Sequence, residues 1–277
     1  DRYGKKGNEI SQNNLKLLNA GFETGKKNKW SQKYHLSING KTKNNYMMLS
    51  GNEAVALGAL AAGCRFVAGY PITPATPIFE TLTRLMPTVG GKAIQVEDEI
   101  AAISAIIGAS FTGEKTITPT SGPGLQLMGE QLNLASMLEL PIVIVDVQRG
   151  GPSTGLPTKT EQSDLKFAIY GTFGEAPRIV LAPTSVEDCF YQTIRAFNLA
   201  ERFQMPVIML TDQSIGYRKA TVRIPDLKKM RFVGSDISTE KLTIPSAEKM
   251  EIAHRFKPTK EELKNYQRYK ITKNGIS

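Results

Sequence analysis

Four short segments carry residues whose types and spacing could do chemistry. The first is Glu97-Asp98-Glu99, which opens the apolar run from Ile100 to Gly108. Acidic residues at a helix start cap it or meet its dipole, and Asp98 suits that role. A carboxylate at a buried strand-to-helix junction is costly without a partner, so the group is also a candidate for more than capping. The second is Gln148-Arg149-Gly150-Gly151-Pro152-Ser153-Thr154-Gly155-Leu156-Pro157-Thr158-Lys159-Thr160, a long loop that puts an arginine directly after an apolar strand. The planar fork of Arg149 matches a carboxylate; the same guanidinium also suits a structural salt bridge with Glu161 or Asp164. The third is Gly69-Tyr70-Pro71-Ile72-Thr73-Pro74. Its two prolines stiffen the loop, which either fixes the Thr73 hydroxyl in place or lets it cap the next helix. The fourth is Thr118-Pro119-Thr120-Ser121-Gly122-Pro123-Gly124, whose glycines let a ring or another backbone approach closely. It has neither GK[ST] nor GxGxxG spacing and is therefore not a phosphate-binding P-loop.

The elements that must position these segments follow from hydrophobic periodicity. Short β-branched runs at 65–68, 93–96, 116–118, 142–147, 178–181 and 207–210 have the length of buried strands. Helical windows at 51–62, 77–85, 99–112, 125–138 and 186–203 alternate with them. The helix at 99–112 is apolar nearly all round, which predicts burial on every side. Continuous apolar strands alternating with helices predict an α/β fold, a parallel sheet with helices on both faces. In such sheets ligands bind beyond the carboxyl ends of the strands, and all four segments follow strands.

Around this centre the chain is polar. Residues 1–48 are Lys/Asn-rich with one amphipathic stretch at Ile10, Leu15, Leu17 and Leu18, which reads as a linker with one helix. The domain is expected over 49–224. Residues 225–277 read as a charged linker toward a following domain, with a helix at 260–269.

Composition narrows the function. The formal charge of +9 sits mainly in the two ends, and no basic stripe interleaved with aromatics marks a nucleic-acid groove. No apolar run reaches the length of a membrane span and no signal-peptide core opens the chain, so a cytoplasmic protein without membrane contact is expected. Cys64 and Cys189 lack CxxC spacing and read as buried small hydrophobes. The two histidines, His35 and His254, lie in polar segments, which argues against a Ser-His-Asp or multi-histidine metal site, and no metal site is expected on this chain.

Taken together, Tyr70-Pro-Ile-Thr-Pro74, Glu97-Asp-Glu-Ile-Ala-Ala102, Thr120-Ser-Gly-Pro-Gly124 and the run from Val145 to Asp164 resemble domain I of the alpha subunit of 2-oxoacid:ferredoxin oxidoreductases. The likeness spans roughly residues 50–213. Its long last segment is specific, whereas TSGPG also occurs in other thiamine-diphosphate enzymes. The resemblance implies the thiamine-diphosphate-binding pyrimidine-domain fold and a half-site for that cofactor. It implies that Glu99 is the activating glutamate, hydrogen-bonded to the aminopyrimidine ring, so that the ring's imine can remove the thiazolium C2 proton. Tyr70, Pro71, Ile72, Thr73, Ser121 and Gly122 would line the cofactor. Thr73 and Arg149 would stand near the reacting centre, and Arg149 with Thr158 would hold the 2-oxoacid carboxylate.

The resemblance further implies partners. A beta subunit would carry the diphosphate and magnesium site and an iron–sulfur cluster, and the chain alone would be inactive. Ferredoxin, coenzyme A and a 2-oxoacid, with 2-oxoglutarate favoured, complete the expected reaction. The opening residues 1–7 resemble the tail of a gamma-type domain fused upstream, and the end at Ser277 suggests a fragment. Two departures stand out: Ala75-Thr76 replaces the usual pair of serines, and Thr118-Pro119 precedes TSGPG where a small residue is more usual. A non-oxidative thiamine-dependent decarboxylase or carboligase, and a non-catalytic assembly subunit, remain the alternatives.

Overall fold

In the computed structural model, residues 8–28, 45–227, 231–233, 251–255 and a few isolated positions between 259 and 270 are described. The chain forms two compact units, 1–44 and 45–277. In the first, helix α1 (Asn8–Lys27) carries Glu9 in its first turn and Lys26 and Lys27 in its last, matching the helix dipole. Ile10, Leu15, Leu17, Leu18 and Phe22 of α1 are all exposed. The helix expected at 260–269 lies almost wholly outside the described residues.

The second unit is built on six parallel strands: β2 (Phe66–Gly69), β3 (Lys92–Gln95), β4 (Thr116–Thr120), β5 (Val143–Gln148), β6 (Ile179–Leu181) and β7 (Val207–Asp212). They lie in the order β3-β2-β4-β5-β7-β6. Strand alternation decides what each face buries. Val67, Ile117, Val143, Val145, Val147, Val207 and Met209 face one core with α2 (Gly51–Ala61), α3 (Thr76–Leu85) and α8 (Val186–Phe203). Ala68, Ile142, Ile144, Ile208 and Leu210 face the other with α4 (Glu99–Phe111), α5 (Gly122–Leu127), α6 (Gly129–Met137) and α7 (Leu165–Tyr170). The expected α/β architecture, a parallel sheet with helices on both faces, is the one observed.

The helices start where polar residues can accept their free N–H groups. Ser50 and Glu53 form a reciprocal capping box on α2. Asp98 accepts from Ala101 N at 2.7 Å on α4, and Ser185 accepts from Asp188 N at 3.1 Å on α8. Asp212 does the same for Ile215 N at 2.8 Å, starting α9 (Gln213–Tyr217).

The structure differs from the periodicity in several places. The helix expected at 125–138 is two helices, α5 and α6, hinged at Met128. Helix α4 is not buried all round: Ala102, Ile103, Ile106, Ile107 and Ser110 face the core, while Ile100 and Phe111 are exposed. The unit also includes an antiparallel pair, β1 (Tyr46–Ser50) with β8 (Lys219–Arg223), in which Tyr46, Met48, Lys219, Thr221 and Arg223 are exposed. Two further short strands, β9 (Arg231–Val233) and β10 (Glu251–Ala253), pair in parallel. Ile252 and Ala253 of β10 join the first core, inside the stretch whose composition suggests a charged linker.

Candidate active site at the strand ends

After β2 the chain goes to the sheet edge as β3 and then crosses back past β2 to begin β4. This reversal is a topological switch point, where parallel sheets open a crevice beyond their strand ends. The four chemistry-bearing segments follow β2, β3, β4 and β5, so the topology sends all of them to this one edge.

Glu99 is the first residue of α4 and is 6% exposed. Among the described residues no hydrogen bond reaches its carboxylate. Its neighbour is Gly124 of α5: a Cβ there would lie 2.2 Å from Thr120 Oγ1, 2.6 Å from Glu99 Cγ and 2.7 Å from Glu99 Oε1. The TSGPG glycine is thus required by the close seat of the glutamate. The Thr120 and Ser121 hydroxyls are enclosed without a partner among the described residues. Replacing Gly124 by alanine should therefore displace Glu99 and cost about 1–3 kcal/mol of overpacking, read as a lowered melting temperature; an unchanged melt would reject the tight seat.

Arg149 follows β5 and is 6% exposed. Its Nη1 donates to Thr73 O at 2.6 Å and its Nη2 to Thr154 O at 2.6 Å, which ties the YPITP loop to the long loop. Its Nε is enclosed without an acceptor among the described residues. Burial lowers the guanidinium pKa, and the negative charges of Glu99, Asp164 and Asp146 oppose that shift. The salt bridge considered for Arg149 is not formed with Glu161 or Asp164; backbone carbonyls take that place.

The structure brings Arg149 onto the Thr73 backbone and within the field of Glu99, while Ser121 and Gly122 stand at the start of α5. Thr73 does not cap α3, whose N-cap position is Ala75. Tyr70 and Pro71 are exposed, and Ile72 and Thr73 half-buried, on the same loop. Thr158 is exposed and is not among the residues lining the cavity of about 430 Å³ beside Arg149, which Gly122, Gln126, Gly151, Glu161 and Asp164 help to form.

The long loop is held by its own hydrogen bonds. Gly150 N donates to Lys159 O at 2.9 Å and Leu156 N to Gly150 O at 2.7 Å. Gly155 adopts a left-handed φ of 59°, and a Cβ there would meet Gly150 O at 1.8 Å. At the loop's end, Asp164 N donates to Gln148 Oε1 at 3.1 Å while Gln148 Nε2 donates to Thr211 O at 3.1 Å. Gln162 Nε2 donates to Asp212 Oδ2 at 2.7 Å. Gln148 and Asp146, buried in β5, are structural supports that residue types did not single out. The available signal was an acid and an amide inside an otherwise apolar strand.

Known proteins resemble this chain in sequence and fold. The family described as pyruvate flavodoxin/ferredoxin oxidoreductase, thiamine diP-bdg (thiamine diphosphate-binding), matches residues 57–272. The 2-oxoglutarate synthase subunit KorA of Methanothermobacter marburgensis is 51% identical over 183 residues, covering 66% of this chain and 49% of that protein. The 2-oxoglutarate oxidoreductase subunit KorA of Mycobacterium tuberculosis is 41% identical over 228 residues, covering 80% and 35% respectively. A solved structure of 2-oxoglutarate:ferredoxin oxidoreductase from Magnetococcus marinus, with 2-oxoglutarate, coenzyme A and succinyl-CoA bound, superposes with a TM-score of 0.74 at 39% identity, covering 100% of this chain and 44% of that one. The chain spans about half or less of the length of these relatives. With its parallel α/β sheet and the matched stretch covering most of its length, the chain belongs to the pyruvate flavodoxin/ferredoxin oxidoreductase family of thiamine-diphosphate-binding domains.

Proposed function

We propose that this chain is the pyrimidine-side half of a thiamine-diphosphate site in a 2-oxoacid:ferredoxin oxidoreductase, acting on 2-oxoglutarate by preference. The reaction is oxidative decarboxylation to an acyl-CoA, with the electrons passed to ferredoxin. The observation that carries this reading is the Glu99 carboxylate, buried at the switch point, seated on Gly124 and close to the Arg149 charge.

The residues fit the cofactor's pyrimidine end. A carboxylate with no donor among the described residues, in a site that a glycine keeps open to close approach, suits a hydrogen bond to a ring nitrogen. The orphaned Thr120 and Ser121 hydroxyls supply further polar atoms nearby. Thiamine diphosphate, when bound, supplies the nucleophilic carbon and the electron sink that 2-oxoacid decarboxylation needs. Glu99 holds and releases one proton against that ring. Tyr70, Pro71, Ile72 and Thr73 form one wall and Ser121 with Gly122 another. Arg149 stays charged and offers the N–H groups not already given to Thr73 and Thr154 to the substrate carboxylate. Thr158 joins it if the loop closes over the substrate.

The reading assigns the diphosphate, its magnesium and an iron–sulfur cluster to a beta subunit, and places the complex in the cytoplasm. It takes residues 1–48 as the end of an upstream gamma-type domain and 225–277 as the way to a following one. Among the described residues, no helix is long and apolar enough to cross a membrane.

The test is reduction of ferredoxin or a viologen by the full protein assembled with its beta subunit. Reduction that requires both 2-oxoglutarate and coenzyme A is expected. Decarboxylation without electron transfer would favour the non-oxidative alternative. In the same assay Arg149→Ala should raise KM and lower kcat/KM for the 2-oxoacid about 30-fold or more, the cost of stranding a buried charge partner. An unchanged constant would remove Arg149 from carboxylate binding.

A further inference from the structure

Asp146 lies in β5 on the face of Ile144, fully buried, in a strand otherwise made of Val, Ile and Gln. Among the described residues, neither of its oxygens has a hydrogen-bonding donor, and neither does Asp164 Oδ2 at the other end of the long loop. The two carboxyl groups are within hydrogen-bonding reach of one another. Both stand against the start of α5: the Gly122 N–H faces Asp146, and a Cβ on Gly122 would lie 3.4 Å from Asp164 Oδ2. Two acceptor-only groups cannot share a dry contact unless one of them carries a proton.

We propose that Asp146 and Asp164 share a single proton, and that this carboxyl–carboxylate bond is a pH-sensitive latch closing the 149–164 loop onto the sheet. Asp146 is the donor and Asp164 the acceptor. The latch joins the middle of β5 to the residue before α7, so it fixes both ends of the segment that carries Arg149. Asp146 and Asp164 are therefore positioning residues. Gln148, which bridges Asp164 N and Thr211 O, holds the same loop end through neutral bonds that pH does not touch. The charged groups facing the pair are Arg149 and Glu161 of the loop itself, and Glu99 of α4 acts on the same Arg149.

The direction of the titration agrees with this arrangement. Burial, and then the neighbouring Asp164 charge, push the Asp146 carboxyl well above the usual carboxylate range; burial also raises Asp164. A carboxyl raised by folding stabilises the closed form fully below its ordinary pKa and loses that contribution as pH rises through the raised value. The latch is closed on the acidic side. On the alkaline side it becomes two adjacent anions and opens.

Only the catalytic consequence rests on the thiamine-site reading, so the test does not use turnover. Lys159 is exposed within the loop and offers a tryptic site. In the full chain, cleavage at Lys159, corrected for the protease's own pH response, should rise by up to about tenfold per pH unit between the ordinary carboxyl pKa and the raised one, and level off above it. Asp146→Asn keeps a permanent donor to Asp164 and should make cleavage nearly independent of pH, whereas Asp164→Asn removes only the second charge, leaves the burial that chiefly raises Asp146, and should keep a weaker pH dependence. Equal pH dependence in the variants and the unsubstituted protein would overturn the latch. Should neither variant fold, infrared spectroscopy of the unsubstituted chain decides. A protonated carboxylic-acid carbonyl band at neutral pH that disappears on alkaline titration is expected, and absence of that band overturns the proposal.

Discussion

Glu99→Gln should abolish most turnover of the assembled enzyme while leaving the fold intact. The amide has nearly the same shape as the carboxylate, so it can keep the seat on Gly124 and Thr120 that a Cβ at position 124 would destroy. What it loses is the ability to accept a proton. General acid–base groups contribute on the order of 10²- to 10⁴-fold, and kcat should fall by that factor. The melting temperature should be close to that of the unsubstituted protein, because no hydrogen bond to Glu99 from the described residues is broken. Arg149 keeps its bonds to Thr73 O and Thr154 O in this variant, so KM for the 2-oxoacid should move less than kcat. Near-normal turnover would take the activating role away from Glu99 and, with it, the main support for a thiamine half-site on this chain.

The parts of this site that could be read from the sequence are those in which one residue type signals one constraint. The apolar runs of β5 and β7 and the Gly/Pro-bounded loops locate the parallel sheet, because strands buried on both faces need continuous hydrophobic residues. Asp98 as a cap follows from its place before an apolar helix, and it caps α4. Other features depend on residues far apart in the chain. The hinge at Met128 interrupts a hydrophobic period that runs through it unbroken, so nothing local marks the break. Arg149 is spent partly on Thr73 O and Thr154 O, and backbone carbonyls leave no sequence signature. The acid within Val145-Asp146-Val147 was visible, but its partner Asp164 stands 18 positions on, across a loop whose path only the fold reveals. The β1–β8 pair escaped for a different reason: one side of each strand faces water, and Tyr46, Met48, Lys219 and Arg223 mask the alternation.

The segment around Ala253 shows the same limit and yields the second large effect. Arg255 donates to Glu201 in a two-point bond, Nε to Oε2 at 2.7 Å and Nη2 to Oε1 at 2.6 Å. Its remaining N–H groups reach Ser110 O at 3.0 Å and Pro141 O at 3.1 Å. The Glu201 side chain is 2% exposed and that of Arg255 13%. Asn198 donates to Glu251 O and accepts from Ala253 N, while Lys115 donates to Ala62 O and Ala253 O. A short charged stretch is thereby fastened to α4, α8 and the start of β4. Arg255→Ala would leave Glu201 buried beside Lys115 alone, and breaking a buried pair costs about 3–5 kcal/mol. For a unit of this size that is a fall in melting temperature of roughly 6–20 °C. Replacing Glu201 and Arg255 together by methionine should recover much of the loss, since no charge is then stranded. Lys115 adds a check by pH. Burial pushes its ammonium down to about 8, against the attraction of Glu201. Because the folded chain holds this proton less tightly than the unfolded one, stability from this group rises between about pH 8 and the ordinary value of 10.5. Removing the Glu201 charge should lower the Lys115 pKa further and start that rise at a lower pH. A melting temperature for Arg255→Ala within a degree or so of the unsubstituted protein would show that this segment rests on the surface rather than being clamped to the core.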